Sequence, residues 1–256
     1  MVPEMARHLL MRLRAPLIAF GGETIDNFGV IRDFPALSMV TGLLANALGW
    51  DRGDDDRHNR LQERLVMGAR LDDGGKRLLD YQTALIYQDD SGWTTHGKPE
   101  GRQTSPSYST MPNGRKGLTL QRYRHYHADM NALLALRLHA ADEAPTLDDL
   151  AAAMDKPARP LFIGRKNCLP TDRLMAGWVE ADNILEALQK ALPPVADKTR
   201  AQWPEGEGEL PGQHHNHSLD VCDERNWTSG VHGGWRPVFE GVLPATVAQA
   251  AQREGA

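Results

Sequence analysis

The chain has 256 residues, of which 41% are hydrophobic and 25% are charged, and its formal net charge is −5. This balance is typical of a globular protein that is long enough for one large domain or two small ones with a real core. No apolar run approaches the length of a membrane span, and charges interrupt the apolar part of the N-terminus, so we expect no secretory signal there. Two cysteines, Cys168 and Cys222, form no disulfide framework, so we expect a reducing cytoplasm.

The charge is distributed unevenly along the chain. Between Ser91 and Ala128 there are six Lys or Arg residues, three histidines and one acid, Glu100. The stretch from Ala191 to Glu224 is acidic instead. A basic segment in an acidic protein indicates one anionic partner or a solvated loop, and charge alone leaves both readings open.

The first element predicted is a half-buried strand. Leu9, Met11 and Leu13 alternate with polar neighbours, which is the period of a strand with one face in the core. Pro16 ends it, and a loop with Gly21 and Gly22 follows.

A helix is predicted next, with Ser38 as its N-cap and Gly49 at its end. Its apolar positions fall on one stripe: Val40, Leu43, Leu44, Ala47 and Leu48. Gly42 inside a helix costs about 1 kcal/mol relative to Ala, so we expect another backbone or a ligand to approach it closely. An acidic loop and a short helix or strand between Leu61 and Arg70 come after it.

The segment from Asp80 to Arg124 is interpreted as an inserted arm with some strand character. It is dense in Gly, Pro, Ser, Thr and Asn, and irregular stretches of such length are usually functional or disordered. Asn113-Gly114 predicts a type I′ hairpin turn.

The remaining chain predicts alternating strands and helices. Residues 128–138 are apolar strand or helix, Thr146 caps a helix, and Leu161 to Ile163 form a strand that breaks at Gly164. A second amphipathic helix follows, with Ile184, Leu185 and Leu188 on one face. Residues 203–212 are read as a flexible linker, and the last third as short strands and turns.

This order of elements predicts an α+β fold. It is compatible with a ferredoxin-like sheet that carries an insertion. We assign residues 1–79 to the first part of a palm, residues 80–124 to the inserted basic arm, and residues 125–256 to the second part of the palm with the C-terminal strands.

One histidine-rich stretch raises the question of a metal. His214, His215, His217, Asp220 and Cys222 lie close together, but a metal site needs ligands that converge at fixed spacing. On a strand His215 and His217 share a face and His214 points away. A polar strand edge is the favoured reading, with no metal and no cofactor, and a metal-dependent hydrolase is the alternative.

A second cluster would suit ribonuclease chemistry. His125, Tyr126 and His127, beside Arg122 and Arg124, could supply a general base, a general acid and a cation for cleavage by the ribose 2′-hydroxyl. Strand alternation separates Tyr126 from the two histidines, and the other reading is a strand that binds RNA or packs without cutting. Nucleotide-binding and hydrolase motifs are missing from the sequence.

Four stretches together resemble the CasD family, the handle-capping subunit of the type I-E CRISPR surveillance complex Cascade. They are LLMRLRAPLIAFGG, RDFPALSMVTGLLANALG, LLDYQTAL and PLFIGRKNCLPTDRL. GQHHNHSLDV stands where the family carries Gly-His-His before a late strand. The ordered set, which covers about the first 220 residues, carries the resemblance, since no single motif is specific.

The resemblance implies an RNA-recognition-like palm with an inserted thumb. It also implies a non-catalytic subunit that grips the 5′ handle of CRISPR RNA and caps the backbone filament in antiviral defence. Its partners would be the CRISPR RNA, the neighbouring backbone subunit, the large PAM-reading subunit and, through the complex, target DNA, with no membrane. The alternative is a metal-independent CRISPR RNA-processing endoribonuclease of the same superfamily.

The residues expected to bind RNA are cations and glycines in three places, because phosphates are held by cationic side chains and exposed N–H groups and single-stranded bases stack on aromatic or guanidinium planes. They are Arg32, Ser38 and Gly42 near the first helix; Trp93, Lys98, Arg102, Arg115, Lys116, Arg122 and Arg124 in the arm; and Gly164, Arg165 and Lys166 after the predicted strand.

Overall fold

The computed structural model describes residues 6–22, 24, 26–90, 92–93, 99–100, 107–211 and 217–246, with the backbone alone at 92–93 and 99–100. The strands are β1 (Ala6–Arg14), β2 (Leu17–Ile18), β3 (Phe28–Gly29), β4 (Leu65–Asp73), β5 (Lys76–Tyr87), β6 (Gly92–Trp93), β7 (Pro99–Glu100), β8 (Ser109–Thr110), β9 (Lys116–Ala128), β10 (Asn131–Leu138), β11 (Met175–Ala181), β12 (Arg200–Pro204), β13 (His217–Cys222) and β14 (Trp235–Val242). The helices are α1 (Leu37–Ala47), α2 (Asp55–Arg64), α3 (Leu147–Asp155) and α4 (Ile184–Lys190). The protein is therefore α+β with mostly antiparallel sheets.

The chain divides into two compact units. The first unit comprises Met1–Gly21, Ile31–Leu78 and Tyr126–Ala256, and the second comprises Gly22–Val30 and Leu79–His125. The predicted arm, residues 80–124, falls inside the second unit, to which the structure adds the segment around β3.

The first unit is built on a seven-stranded sheet in the order β11-β1-β10-β4-β12-β14-β13. Every neighbouring pair in it is antiparallel. The chain reaches β4 from β1 through α1 and α2, and β11 from β10 through α3, while β10 lies between β1 and β4. The last three strands extend the sheet beyond β4.

Each face of this sheet has its own core, because side chains alternate along the strands. On one face, Leu9, Met11 and Leu13 of β1 pack with α1, α2 and α3 in one buried cluster. On the other face, Leu10 packs with α4 and with the buried Trp203 of β12. The predicted first strand and its buried face are confirmed.

The second unit is a ribbon of strands. β9 pairs with β5, with β8 in antiparallel register and with β3 in parallel register. β8 and β9 form the predicted hairpin, but its turn is not type I′: Gly114 has a positive φ of 81°, whereas Asn113 does not. The Met111 and Gly114 N–H groups instead close a longer loop through Pro112, donating to Arg115 and Met111 carbonyl oxygens, each at 2.9 Å.

Two of the predicted helices are confirmed with their caps. Thr146 is the N-cap of α3 and forms a capping box with Asp149. Asn183 caps α4 by accepting a hydrogen bond from the N–H of Glu186. Among the described residues, no helix is long and apolar enough to cross a membrane.

Two other predictions are wrong. The segment Leu161 to Ile163 is not a strand, because Ile163 bonds to Cys168 of its own loop and to Ala19 instead of to a ladder. Residues 205–211 are not a free linker. The carboxylate and carbonyl of Glu207 accept the Ile184 and Leu185 N–H groups at the start of α4.

Candidate nucleic-acid interface

The loop of residues 160–174 is held in one conformation by its glycine. Gly164 has a φ of 87°, and a Cβ at this position would overlap the carbonyl oxygen of Ala19. The Ala19 N–H donates to the Ile163 carbonyl at 3.3 Å, and the Ile163 N–H donates to the Cys168 carbonyl at 2.8 Å. Since Cys168 is fully buried, the loop is anchored at both sides of the two cations.

The two cations of this loop differ in their surroundings. The Arg165 guanidinium carbon lies 4.7 Å from the centre of the Tyr126 ring, and Arg165 is half-buried. The Tyr126 hydroxyl accepts a hydrogen bond from Asn167 Nδ2 at 3.2 Å. Lys166 is exposed. The loop therefore presents one cation fixed on an aromatic ring and one cation in solvent.

The alternative ribonuclease cluster is largely buried. Tyr126 is 1% exposed and His127 is 3% exposed. His127 Nε2 donates to the Arg32 carbonyl oxygen at 2.8 Å, and burial lowers the pKa of this histidine below its ordinary value although that hydrogen bond opposes the shift. Tyr126 and His127 thus pack in the interior, and Tyr126, which the sequence allowed as a stacking residue, has its ring covered.

The start of α1 is occupied by a segment from much later in the chain. The Leu37 N–H donates to Asp223 Oδ2 at 3.1 Å and the Ser38 N–H donates to the Asp223 carbonyl at 3.0 Å. The N-cap is Ala36, without a side-chain cap, so the prediction that Ser38 caps the helix is wrong. Asp223 is held by Arg236 through two hydrogen bonds of 2.9 and 2.8 Å.

The other predicted residues near α1 also contact this late segment. Arg32 Nη2 donates to the Cys222 carbonyl at 2.7 Å. A Cβ on Gly42 would lie 3.1 Å from the ring of Trp227, so the close approach predicted at Gly42 is made by a side chain of the protein itself. Ser38 is 5% exposed. RNA contacts by Arg32, Ser38 and Gly42 stay predictions.

The described cations of the arm are spread over the ribbon of the second unit. Arg115 stacks on Tyr87, with 3.7 Å to the ring centre, and its Nη2 lies 2.6 Å from Asp89 Oδ1. Lys116 and Arg122 are exposed and Arg124 is half-buried. Because Lys116, Arg122 and Arg124 are at even positions of β9, strand alternation places them on one face of the ribbon.

Several predicted residues lie outside the described part of the chain. They are Lys98, Arg102, His214, His215 and the side chain of Trp93. Among the residues that are described, no group of three or more His, Cys, Asp or Glu side chains could hold a metal ion.

An aromatic cluster in the second unit was missed by sequence reasoning. Tyr123 stacks on Phe28, with ring centres 4.9 Å apart and an angle of 12°, and contacts Tyr81 at the same distance with an angle of 34°. Phe28 and Tyr81 are 47% and 51% exposed. The alternation of Leu79, Tyr81, Leu85 and Tyr87 was a strand signal, whereas nothing in the sequence indicated that the segment around Phe28 pairs with β9.

Comparison with known proteins places the chain among CRISPR-associated proteins. The family model Cas_Cas5d, described as CRISPR-associated protein (Cas_Cas5), matches residues 8–239. The CRISPR system Cascade subunit CasD of Escherichia coli (strain K12) is 27% identical over 195 residues, which cover 75% of this chain and 80% of that protein.

Two solved structures share the fold. One, titled CRISPR RNA-guided surveillance complex, has a TM-score of 0.61 at 20% identity and covers 93% of this chain and 90% of its own. The other, titled Crystal structure of Cas protein, has a TM-score of 0.56 at 23% identity and covers 93% of this chain and 95% of its own. Since the family model extends over nearly the whole sequence, the resemblance seen in the four sequence stretches is confirmed, and the chain belongs to the CasD/Cas5 family of CRISPR-associated proteins.

Proposed function

We propose that this protein is an RNA-binding subunit of a CRISPR surveillance complex of the Cascade kind, type I-E, in antiviral defence. It grips the 5′ handle of CRISPR RNA and caps one end of the backbone filament. Family membership and the relative CasD, which is named as a Cascade subunit, support this assignment. The partners are the CRISPR RNA, the adjacent backbone subunit and the large PAM-reading subunit, in the cytoplasm, and target DNA is met only through the complex.

The observation that carries the proposal is the loop at Gly164. A single strand of RNA needs cations that hold its phosphates and planar groups that face its bases. The guanidinium plane of Arg165 is held against Tyr126, so little rotamer entropy is lost when it meets a ligand. The exposed Lys166 stands next to it as a phosphate contact.

The strand order of the first unit supports an RNA-recognition-like palm. β1, β4, β10 and β11 with the α1 and α3 connections follow the β-α-β-β-α-β order of ferredoxin-like folds. Their arrangement β11-β1-β10-β4 puts the two hairpin strands β4 and β10 side by side. The second unit is the thumb in this assignment.

The protein binds RNA without cutting it in this proposal. The burial of Tyr126 and His127 supports this, because a general acid or base must reach the scissile group directly or through one water. Incubation of the purified protein with precursor CRISPR RNA in the presence of a chelator tests the alternative. Specific cleavage under these conditions would assign an endoribonuclease function.

The binding site is tested by the double substitution Arg165→Ala, Lys166→Ala. We expect weaker binding of a 5′-handle RNA by the isolated protein. The slope of its salt dependence should fall by about 0.7 for each phosphate that the variant no longer neutralises. Filter binding across a salt series measures both quantities, and circular dichroism confirms the fold.

The matched control removes two exposed lysines from elsewhere on the first unit, Lys156→Ala with Lys198→Ala. This variant loses the same positive charge, so it corrects for long-range attraction of the RNA. If both variants bind the handle with the wild-type affinity and slope, the loop takes no part in RNA binding.

A further inference from the structure

The ribbon of the second unit lacks a core of its own. None of the hydrophobic side chains at its described positions is buried. Isolated ribbons of two or three strands are marginally stable in water unless a hydrophobic face is covered. Its apolar side chains are about half exposed instead: Phe28 47%, Leu79 53%, Tyr81 51% and Leu85 46%.

These apolar side chains share one face of the ribbon. The ring contacts bring Phe28, Tyr81 and Tyr123 together. Leu79 and Leu85 lie at even spacing from Tyr81 on β5, so strand alternation puts them on the same side. We define the aromatic face of the ribbon as Phe28, Leu79, Tyr81, Leu85 and Tyr123.

The charges of the ribbon follow the opposite alternation. On the side of the aromatic face, the strand positions 79, 81, 83 and 85 of β5 and 119, 121, 123 and 125 of β9 carry no Asp, Glu, Lys or Arg. The opposite side carries Lys116, Arg122 and Arg124 against the single carboxylate of Asp80. The two sides therefore differ in the partner whose charge they match.

We infer that the aromatic face is a docking surface for a protein subunit of the same complex, one that presents an apolar, uncharged surface. This inference rests on the proposed function. A strand of RNA brings a negative charge with every nucleotide and matches the cationic side of the ribbon. The aromatic face offers no charge to match phosphates, and it has the composition of an interface centre, which is rich in aromatic residues and depleted of charge. Exposed apolar patches of this kind mark interaction sites.

Leu79 and Leu85 contribute area to this face without offering a plane on which a base could stack. A protein partner can use both the aliphatic and the aromatic side chains, whereas a nucleobase needs the rings alone. The substitution Leu79→Gln with Leu85→Gln therefore removes apolar contact with a protein and leaves both the net charge and the three rings in place. Tyr81→Leu does the reverse, since it removes a ring and keeps an apolar side chain.

The test co-expresses each variant with a tagged backbone subunit, the large subunit and CRISPR RNA, and measures its recovery in the purified complex. We expect the double glutamine variant to lose about tenfold in recovery, as for truncation of an interface anchor, while the isolated variant binds handle RNA with wild-type affinity. Tyr81→Leu keeps most of its recovery. Ala84→Gln, an exposed position on the other side of β5, is the matched control and assembles normally.

The identity of the occupant is read by a photo-crosslinking amino acid, p-benzoylphenylalanine, placed at position 81 in the assembled complex. A crosslink to a protein subunit supports the inference. A crosslink to RNA, no crosslink, or wild-type recovery of the double glutamine variant overturns it. Failure of the proposed function has a different result, since the wild-type protein alone would then not bind handle RNA.

Discussion

Gly164 shows how one residue fixes the shape of the loop that carries the proposed RNA contacts. Its backbone has a φ of 87°, a conformation that costs an L-residue about 1–2 kcal/mol. It also lies against the Ala19 carbonyl. Either feature favours glycine, and together they leave no room for another residue.

Gly164→Ala is therefore expected to destabilise the first unit by about 3 kcal/mol, since backbone strain and a steric overlap add. Urea denaturation followed by circular dichroism measures the change. Gly114→Ala is the matched control, because Gly114 has a φ of 81° but open space around it. It should cost about 1 kcal/mol, the strain alone. Equal losses for the two variants would show that the approach of Ala19 is unimportant.

The sequence predicted a break at Gly164 but not its cause. Glycine after an apolar run is a local signal, whereas the carbonyl that excludes a side chain comes from Ala19, far away in the chain. For the same reason the cations at 165 and 166 were recognised from the sequence, but the seat of Arg165 on Tyr126 was not.

Among the elements, α1 depends most on a distant segment. Its first two N–H groups are bound by Asp223, and its Gly42 lies against Trp227. Gln62 of α2 also contacts this segment, since its Nε2 donates to the Arg225 carbonyl at 3.0 Å and its Oε1 accepts from Trp227 Nε1 at 3.2 Å. The segment between β13 and β14 thus joins α1 and α2 to the C-terminal strands.

Asp223→Ala should destabilise the protein by about 3 kcal/mol, because it leaves the Arg236 guanidinium without its carboxylate in a mostly buried position. The start of α1 loses its acceptor in the same variant. Chemical denaturation gives the free energy of unfolding. The control is Asp220→Ala, an exposed aspartate on the neighbouring strand, which should stay within about 0.5 kcal/mol of the wild type. A loss at Asp223 no larger than this would rule out the clamp.

The elements that were predicted correctly have local signals. α3 has Thr146 and two acids in its first turn, and α4 has Asn183 before an apolar stripe. Long-range pairing decided the others. Residues 161–163 have the composition of a strand but bond to a loop, and β5 was underestimated because both of its faces are exposed, so neither carries the apolar and polar contrast by which a strand is recognised.

For the whole molecule, the division into two units separates folding from recognition. The two core clusters are formed entirely by the first unit, so this unit has the buried area that a stable fold needs. The second unit, on its described residues, has exposed apolar and cationic faces and no hydrophobic interior. Its structure thus serves binding more than stability.

This division predicts that the end of the ribbon can be removed without unfolding the protein. The Gln88 N–H donates to the Lys116 carbonyl at 2.9 Å, so residues 89–115 can be replaced by Asn-Gly, a pair that suits a two-residue hairpin turn. The shortened protein should keep the melting temperature of the wild type within a few degrees, because surface loops tolerate such changes. Calorimetry checks this expectation.

The same shortened protein should fail to assemble if the second unit is the thumb. It loses the cations of this segment, Lys98, Arg102 and Arg115, together with Trp93. Pull-down with a tagged backbone subunit and CRISPR RNA should therefore recover little of it, although it is folded. The control replaces the same residues with a Gly/Ser linker that keeps lysine or arginine at the three cationic positions, so that length and charge are retained without the native sequence. Recovery of the linker variant alone would show that charge at the end of the ribbon is sufficient, and wild-type recovery of the shortened protein would contradict the thumb assignment.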